Sequence, residues 1–134
     1  MPNRVAHFEI HCDNLERGTA FYRDVFGWDI QGWPMPDGST YWMAMTAPKG
    51  STEVGISGGF VKRPCPAPAE KQGLNAFCCT IVVDDFDAAM AKALEHGAIV
   101  AMPKFALTGM AWQGYFIDTE GNTVGLHQAD ANAK

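Results

Sequence analysis

The sequence lacks several features that define large classes of protein. It has four cysteines but no C-x-x-C pair, and ten lysines and arginines against fifteen acidic residues. Neither a disulfide framework nor a cysteine metal cluster is indicated, so we expect free thiols in a reducing cytoplasm. The formal net charge is −5, and no basic cluster exists beyond Lys62-Arg63. Because such a chain does not attract phosphate backbones, we expect no nucleic-acid partner.

Long apolar runs are also missing. None approaches the ~20 residues that span a bilayer, and the first residues, MPNR, lack the apolar core of a signal peptide. We therefore expect a cytoplasmic protein without membrane contact. The chain has 134 residues, of which 47% are hydrophobic and 19% charged. That is enough to bury a hydrophobic core, and we predict one domain over residues 1–134.

Two segments of the chain have the pattern of a strand followed by a helix. Residues 5–12 and 76–83 are rich in residues that favour strands, and apolar residues then recur at helical spacing near residues 14–26 and 85–96. Each helix is expected to begin at an aspartate and to end at a glycine, which adopts a left-handed conformation at low cost. The expected first and last caps are Asp13 and Gly27 for one helix, and Asp84 and Gly97 for the other.

The pattern recurs at a nearly constant distance along the chain. Asp13 maps to Asp84 at an offset of 71, and residues 54–57 map to residues 124–127 at an offset of 70. A repeat that spans several elements is a strong architectural signal. Further strands are predicted at residues 41–46, 53–60, 114–117 and 123–128.

The repeat predicts an α+β fold of two sequential β-α-β-β-β units. We expect unit one at about residues 4–62, a proline-rich connector at about 63–74, and unit two at about 75–128. Each unit alone would leave one face of its sheet bare. The units are therefore expected to form a curved, half-open mixed sheet around a cleft, with the helices outside.

The opening and closing stretches resemble those of a known superfamily. They are HFEIHCDNLERGTAFYRDVFGW (residues 7–28) and DTEGNTVGLHQ (residues 118–128), with Thr119 in place of the usual proline. The chain thereby resembles the vicinal oxygen chelate superfamily, which includes glyoxalase I, extradiol dioxygenases and bleomycin-resistance proteins. The resemblance implies a homodimer and a small-molecule ligand, but the fold hosts many activities.

The resemblance also implies a divalent metal held by the first and last strands of each unit. The four positions that match the ligands are His7, Gly55, Cys78 and Gly125. Glycine has no donor atom, so we expect no stoichiometric metal at these positions and no other cofactor. The alternative is a displaced site built from His7, Glu9 and His127, whose neighbouring side chains need span only about 7 Å.

The alternation of faces along the strands places five candidate residues at the cleft, His7, Glu9, His11, Cys78 and His127, whereas the sequence does not assign the faces of Trp42 and Trp112. The candidate catalytic residues are Glu9, His7 and His127, as general acid or base. The candidate ligand-binding residues are His11, Cys78, Thr80, Ser57, Trp42 and Trp112. For each the plainer interpretation stays open: a histidine that only forms hydrogen bonds, a buried thiol, a tryptophan of the core.

Three hypotheses about function follow. The first is a domain that binds a small, partly apolar molecule and has lost the usual metal site. The second is a lyase, isomerase or dioxygenase-type enzyme that uses a displaced metal or a Glu/His acid–base pair. The third is a non-catalytic interaction module. Metal analysis separates the first two, and a ligand-induced melting shift would argue against the third.

Overall fold

The computed structural model of the chain describes residue 5 and residues 7–69 and 78–134. The end of the expected connector and the beginning of the strand predicted at residues 76–83 lie outside the described residues. The chain divides into two compact units, Met1–Cys65 and Pro66–Lys134. No helix in the described ranges combines the length and the apolar character that crossing a membrane requires.

Unit one contains one helix and one open four-stranded sheet in its described part. Its elements are β1 (Phe8–Cys12), α1 (Leu15–Phe26), β2 (Asp29–Pro34), β3 (Thr40–Met45) and β4 (Gly58–Lys62). The strand order is β1-β4-β3-β2. The first and last strands, β1 and β4, pair in parallel, and the other pairs are antiparallel.

Unit two repeats this arrangement. Its elements are β5 (Cys79–Val82), α2 (Phe86–Glu95), β6 (Ile99–Leu107), β7 (Ala111–Ile117) and β8 (Thr123–Ala129). The strand order is β5-β8-β7-β6, again with a parallel pair between the first and last strands. The predicted α+β fold of two sequential β-α-β-β-β units with mixed sheets is confirmed.

Helix α1 begins one residue later than expected. Asn14 is the N-cap, and its side chain accepts a hydrogen bond from the Arg17 backbone N–H at 2.9 Å. The prediction of Asp13 was wrong, because Asp13 instead pairs with the Arg63 guanidinium at 2.9 Å. Gly27 ends the helix at a φ of 70°, the left-handed conformation that the sequence predicted.

Helix α2 shows the same shift at its start. Its N-cap is Asp85, which accepts from the Ala88 backbone N–H at 3.0 Å, rather than the predicted Asp84. His96 is the C-cap, and Gly97 follows it at a φ of 103°. Both helices are thus capped by the second residue of a polar pair.

Each helix covers one face of its own sheet. In unit one Phe60 is 1% exposed and its ring lies 5.5 Å from that of Tyr22 on α1. In unit two the α2 residue Phe86 is buried, as are Phe116 and Leu126 on the strands that face it. We call the other face of each sheet its open face.

Strand β4 lies further along the chain than predicted. The predicted strand covered residues 53–60, but β4 is Gly58–Lys62, and Val54 is 96% exposed. Gly59 lies opposite Glu9 as Gly125 lies opposite Thr80. The counterpart of Gly125 is therefore Gly59 and not Gly55, and the burial of Phe60 under α1 explains this register.

Candidate functional site

The open face of unit one carries both polar and aromatic side chains. The strands contribute Glu9 and His11 from β1, Gly59 and Val61 from β4, Tyr41, Met43 and Met45 from β3, and Asp29, Gln31 and Trp33 from β2. His7, just before β1, joins this face because its ring contacts Tyr41. Trp33 is 62% exposed although it lies directly opposite Tyr41.

Tyr41 joins two of the predicted site residues. Its hydroxyl donates to Glu9 Oε2 at 3.0 Å and lies 2.8 Å from His7 Nε2. Burial, and secondarily the hydrogen bond to Glu9, raises the pKa of Tyr41 to about 12. Because its one proton is given to Glu9, Tyr41 accepts from His7, which then carries its proton on Nε2.

Gly59 lies directly beneath Tyr41. A Cβ atom at Gly59 would be 2.2 Å from the Tyr41 hydroxyl oxygen and 2.4 Å from Cζ of the same ring. Real carbon atoms do not approach so closely. The space that a side chain at this position would need is therefore occupied by Tyr41. We call β4 and β8, the last strand of each unit, the closing strands.

The open face of unit two contains a second polar pair. Gln113 on β7 lies opposite His127 on β8, and its Oε1 is 2.8 Å from His127 Nδ1. Gln113 is only 6% exposed. Since a carboxamide oxygen can only accept, His127 carries a proton on Nδ1, and in the neutral ring its Nε2 is then an acceptor.

Gly125 is covered in the same way as Gly59. A Cβ atom there would be 2.5 Å from Thr80 Oγ1 and 3.1 Å from Gln113 Nε2. In both units, side chains of neighbouring strands cover the glycine of the closing strand.

The donors present do not fit the four-ligand metal site that the resemblance implies. The two ligand positions on the closing strands are Gly59 and Gly125, which have no side-chain donor atom. Only His7 and Cys78 remain as donors. Burial raises the pKa of the Cys78 thiol, which disfavours the thiolate that binds metal, and its Sγ donates to the Thr123 carbonyl at 3.4 Å. Across the described residues, no three His, Cys, Asp or Glu side chains come close enough to hold an ion.

The alternative set of His7, Glu9 and His127 is divided between the units. His7 and Glu9 both bond Tyr41, whereas His127 belongs to unit two and bonds Gln113. The catalytic roles suggested for these three residues stay predictions.

The other predicted ligand-binding residues lie in different surroundings. Trp42 lies opposite Phe60, on the face that α1 covers. Trp112 lies on the α2 side, where its Nε1 donates to Asp130 at 2.9 Å and the Lys104 ammonium lies 4.5 Å above its ring.

Three predicted residues remain exposed or anchor local structure. His11 and Thr80 are exposed on the open faces. Ser57 lies outside the strands, where its hydroxyl accepts from the Thr46 backbone N–H at 3.2 Å. That contact holds the loop between β3 and β4.

Sequence reasoning missed Tyr41, Gln113 and Gly59. Tyr41 begins the strand predicted at residues 41–46, and Gln113 directly precedes the strand predicted at 114–117. Their faces depend on the register with β4 and β8, which a single strand pattern does not contain.

Comparison with known proteins finds similarity to glyoxalase-like and antibiotic-resistance proteins. The family model for the bleomycin resistance protein-like N-terminal region matches residues 4–43. The candidate glyoxylase CFP32 of Mycobacterium tuberculosis is 32% identical over 130 residues, which cover 96% of this chain and 46% of that protein. The chain thus spans about half the length of the curated relatives that it matches.

Solved structures agree in fold. TnmS3, an antibiotic binding protein from Streptomyces sp. CB03234, is 29% identical with a TM-score of 0.65, covering 96% of this chain and 98% of its own. The fosfomycin resistance protein FosX from Listeria monocytogenes has a TM-score of 0.69 at 15% identity, covering 97% and 96%. The resemblance read from the opening and closing stretches is confirmed.

Proposed function

We propose that this chain, a glyoxalase-like member of the vicinal oxygen chelate superfamily, binds a small, partly apolar molecule without the superfamily's four-ligand metal site. The ligand would lie on the open face of one of the sheets. Two proteins of the same fold support binding as the general role, since one is an antibiotic binding protein and the other a fosfomycin resistance protein.

One observation supports the loss of the metal site above all others. Both closing-strand ligand positions are glycines, and each is covered by side chains of neighbouring strands, Tyr41 over Gly59 and Thr80 over Gly125. A carboxylate restored at Gly59 would collide with the Tyr41 ring. Two missing carboxylates also remove the negative charge that neutralises a divalent ion.

The composition of the open faces supports a ligand with an apolar part. Trp33 on unit one and Val82 on unit two are 62% and 75% exposed. Hydrogen-bonding groups lie on the same faces, at Glu9 in unit one and at His127 in unit two. Apolar walls with a few placed polar groups are typical of small-molecule sites.

Two measurements test the proposal. Elemental analysis of the purified protein should find no stoichiometric transition metal. About one tightly bound metal per chain, lost in His7→Ala and kept in His11→Ala, would contradict it. A melting screen against small molecules should find a stabilising compound, since a ligand at ~100 times its Kd adds about 2.7 kcal/mol. If no compound raises the melting temperature, the proposed binding function is contradicted.

A second candidate is an enzyme that transfers protons. The hydrogen-bonded chain from His7 through Tyr41 to the exposed Glu9 favours it, because Tyr41 holds the carboxylate in one orientation. Turnover of a compound found in the melting screen should then fall by about 10²-fold or more in Glu9→Gln. Glu53→Gln, an exposed loop carboxylate, is the control. Equal turnover in both variants would exclude Glu9 as the base.

A further inference from the structure

We infer that the open face of unit two holds a hydrogen-bonding site over Gly125 for a neutral carbonyl compound with an adjacent hydrogen-bond donor, such as a secondary amide. The inference rests on the proposed binding function and names the chemical class of one ligand group. It requires three side chains, Gln113, Thr80 and His127.

The carboxamide of Gln113 is the centre of this site. Its Oε1 accepts from His127 Nδ1, so its two Nε2 hydrogens remain to be used. Within the described part of the chain, Nε2 forms no hydrogen bond. No fully buried side-chain polar atom there lacks a partner, so Nε2 must reach the surface although Gln113 is 6% exposed overall.

The hydroxyl of Thr80 provides a second donor at the same place. Thr80 Oγ1 and Gln113 Nε2 lie 2.5 Å and 3.1 Å from the position that a Cβ of Gly125 would take. Both groups can lie close to this position, and so to each other, because Gly125 has no side chain. An amide group and a hydroxyl that lie side by side are suited to donate to one acceptor oxygen of a ligand above them.

His127 provides the complementary acceptor. In the neutral ring with its proton on Nδ1, directed at Gln113, Nε2 is an acceptor. The carboxamide of Gln113 thus lies next to both the His127 ring and the Thr80 hydroxyl. The ligand must therefore carry its carbonyl oxygen and its N–H or O–H group as close neighbours.

The charges around the site favour a neutral carbonyl over a carboxylate. Lys104 is the one lysine or arginine in strands β5–β8. It lies on the other side of the sheet, over the Trp112 ring, and pairs with Asp87 at 3.0 Å. The donors on the open face are therefore uncharged, and Tyr115 and the exposed Val82 offer apolar surface for the rest of the ligand.

The tautomer of His127 can be tested in the free protein. Long-range ¹H–¹⁵N NMR spectra at neutral pH should show His127 with its proton on Nδ1. A proton on Nε2 would mean that Gln113 presents its amide group to the ring, and it would overturn the inference. This result does not depend on any ligand, so it is independent of the proposed function.

The ligand class is tested with three fragment probes titrated by NMR. N-methylbenzamide has a carbonyl and an N–H group, N,N-dimethylbenzamide has the carbonyl alone, and benzoate is an anion. We expect the first to bind about fivefold more tightly than the second, as one hydrogen bond predicts, and benzoate to bind most weakly. Binding should move the Gln113 side-chain amide signals.

Matched variants localise the binding. Thr80→Val, at an exposed position, should weaken N-methylbenzamide by about fivefold, and Thr108→Val, in the exposed β6–β7 turn, should leave it unchanged. Benzoate binding as tightly as the amide, or an unchanged affinity in Thr80→Val, would overturn the inference. So would no binding of any probe at millimolar concentration, and the binding function would then depend on the melting screen alone.

Discussion

Replacing Gly59 by alanine should destabilise unit one. The new methyl group would lie 2.2 Å from the Tyr41 hydroxyl oxygen, so the ring must move. Movement breaks the hydrogen bonds of Tyr41 with Glu9 and His7.

The expected cost follows from these contacts. Two hydrogen bonds contribute about 1 kcal/mol each, and overpacking costs about 1–3 kcal/mol, part of which is the same movement. We therefore expect a loss of about 2–4 kcal/mol in the free energy of unfolding. In a Tyr41→Ala background the clash is absent, so the same change should cost less than about 0.5 kcal/mol.

Urea unfolding followed by tryptophan fluorescence measures these values. Gly55→Ala is the matched control, because no atom lies within 4 Å of its added Cβ and its φ is not left-handed. It should be neutral or stabilise by about 0.4–1 kcal/mol. A neutral Gly59→Ala, or the same cost with and without Tyr41, would refute the reasoning and would return Gly55 to consideration as the counterpart of Gly125.

Three further predictions concern single groups. Absorbance titration should show that Tyr41 ionises near pH 12, and Glu9→Gln should lower that pKa. Because the pKa is raised in the folded state, its contribution to the free energy of unfolding is fully present below about pH 10 and is lost as the pH rises through about 12. Asn14→Ala should cost about 1 kcal/mol in urea unfolding through the lost N-cap, and more than Asp13→Ala, because the Asp13 carboxylate is half-exposed. Leu126→Ala, at a fully buried position, should cost about 2–5 kcal/mol by the same assay. A loss below about 1 kcal/mol would contradict this expectation and would show that neighbouring side chains fill the cavity.

The helices and the order of elements were predictable because their signals are local. Apolar spacing and a glycine at the end identified α1, and Gly27 has the left-handed φ that its position required. The N-caps were wrong by one residue because Asp13-Asn14 and Asp84-Asp85 are both pairs of capping residues. Which member caps depends on backbone geometry.

The site was less predictable because it depends on strand register. Residues 54–57 resemble residues 124–127 in sequence, yet they form no strand, and the true partner of β1 contains Gly58 and Gly59. Consecutive glycines have low strand propensity, so the pattern favoured the wrong segment. Burial of Phe60 beneath α1 determines the register, and that contact is not local in sequence.

The parallel pairing of the first and last strands determines when each unit can be completed during synthesis. Strand β1 has no partner strand until β4 has been synthesised. All four strands of unit one are present once the chain reaches Lys62, before β5 has been made. Unit two must wait for β8, which lies between β5 and β7. A nascent chain that stops before Thr123 would therefore leave a finished unit one and a second unit without a central strand, which is an aggregation-prone state.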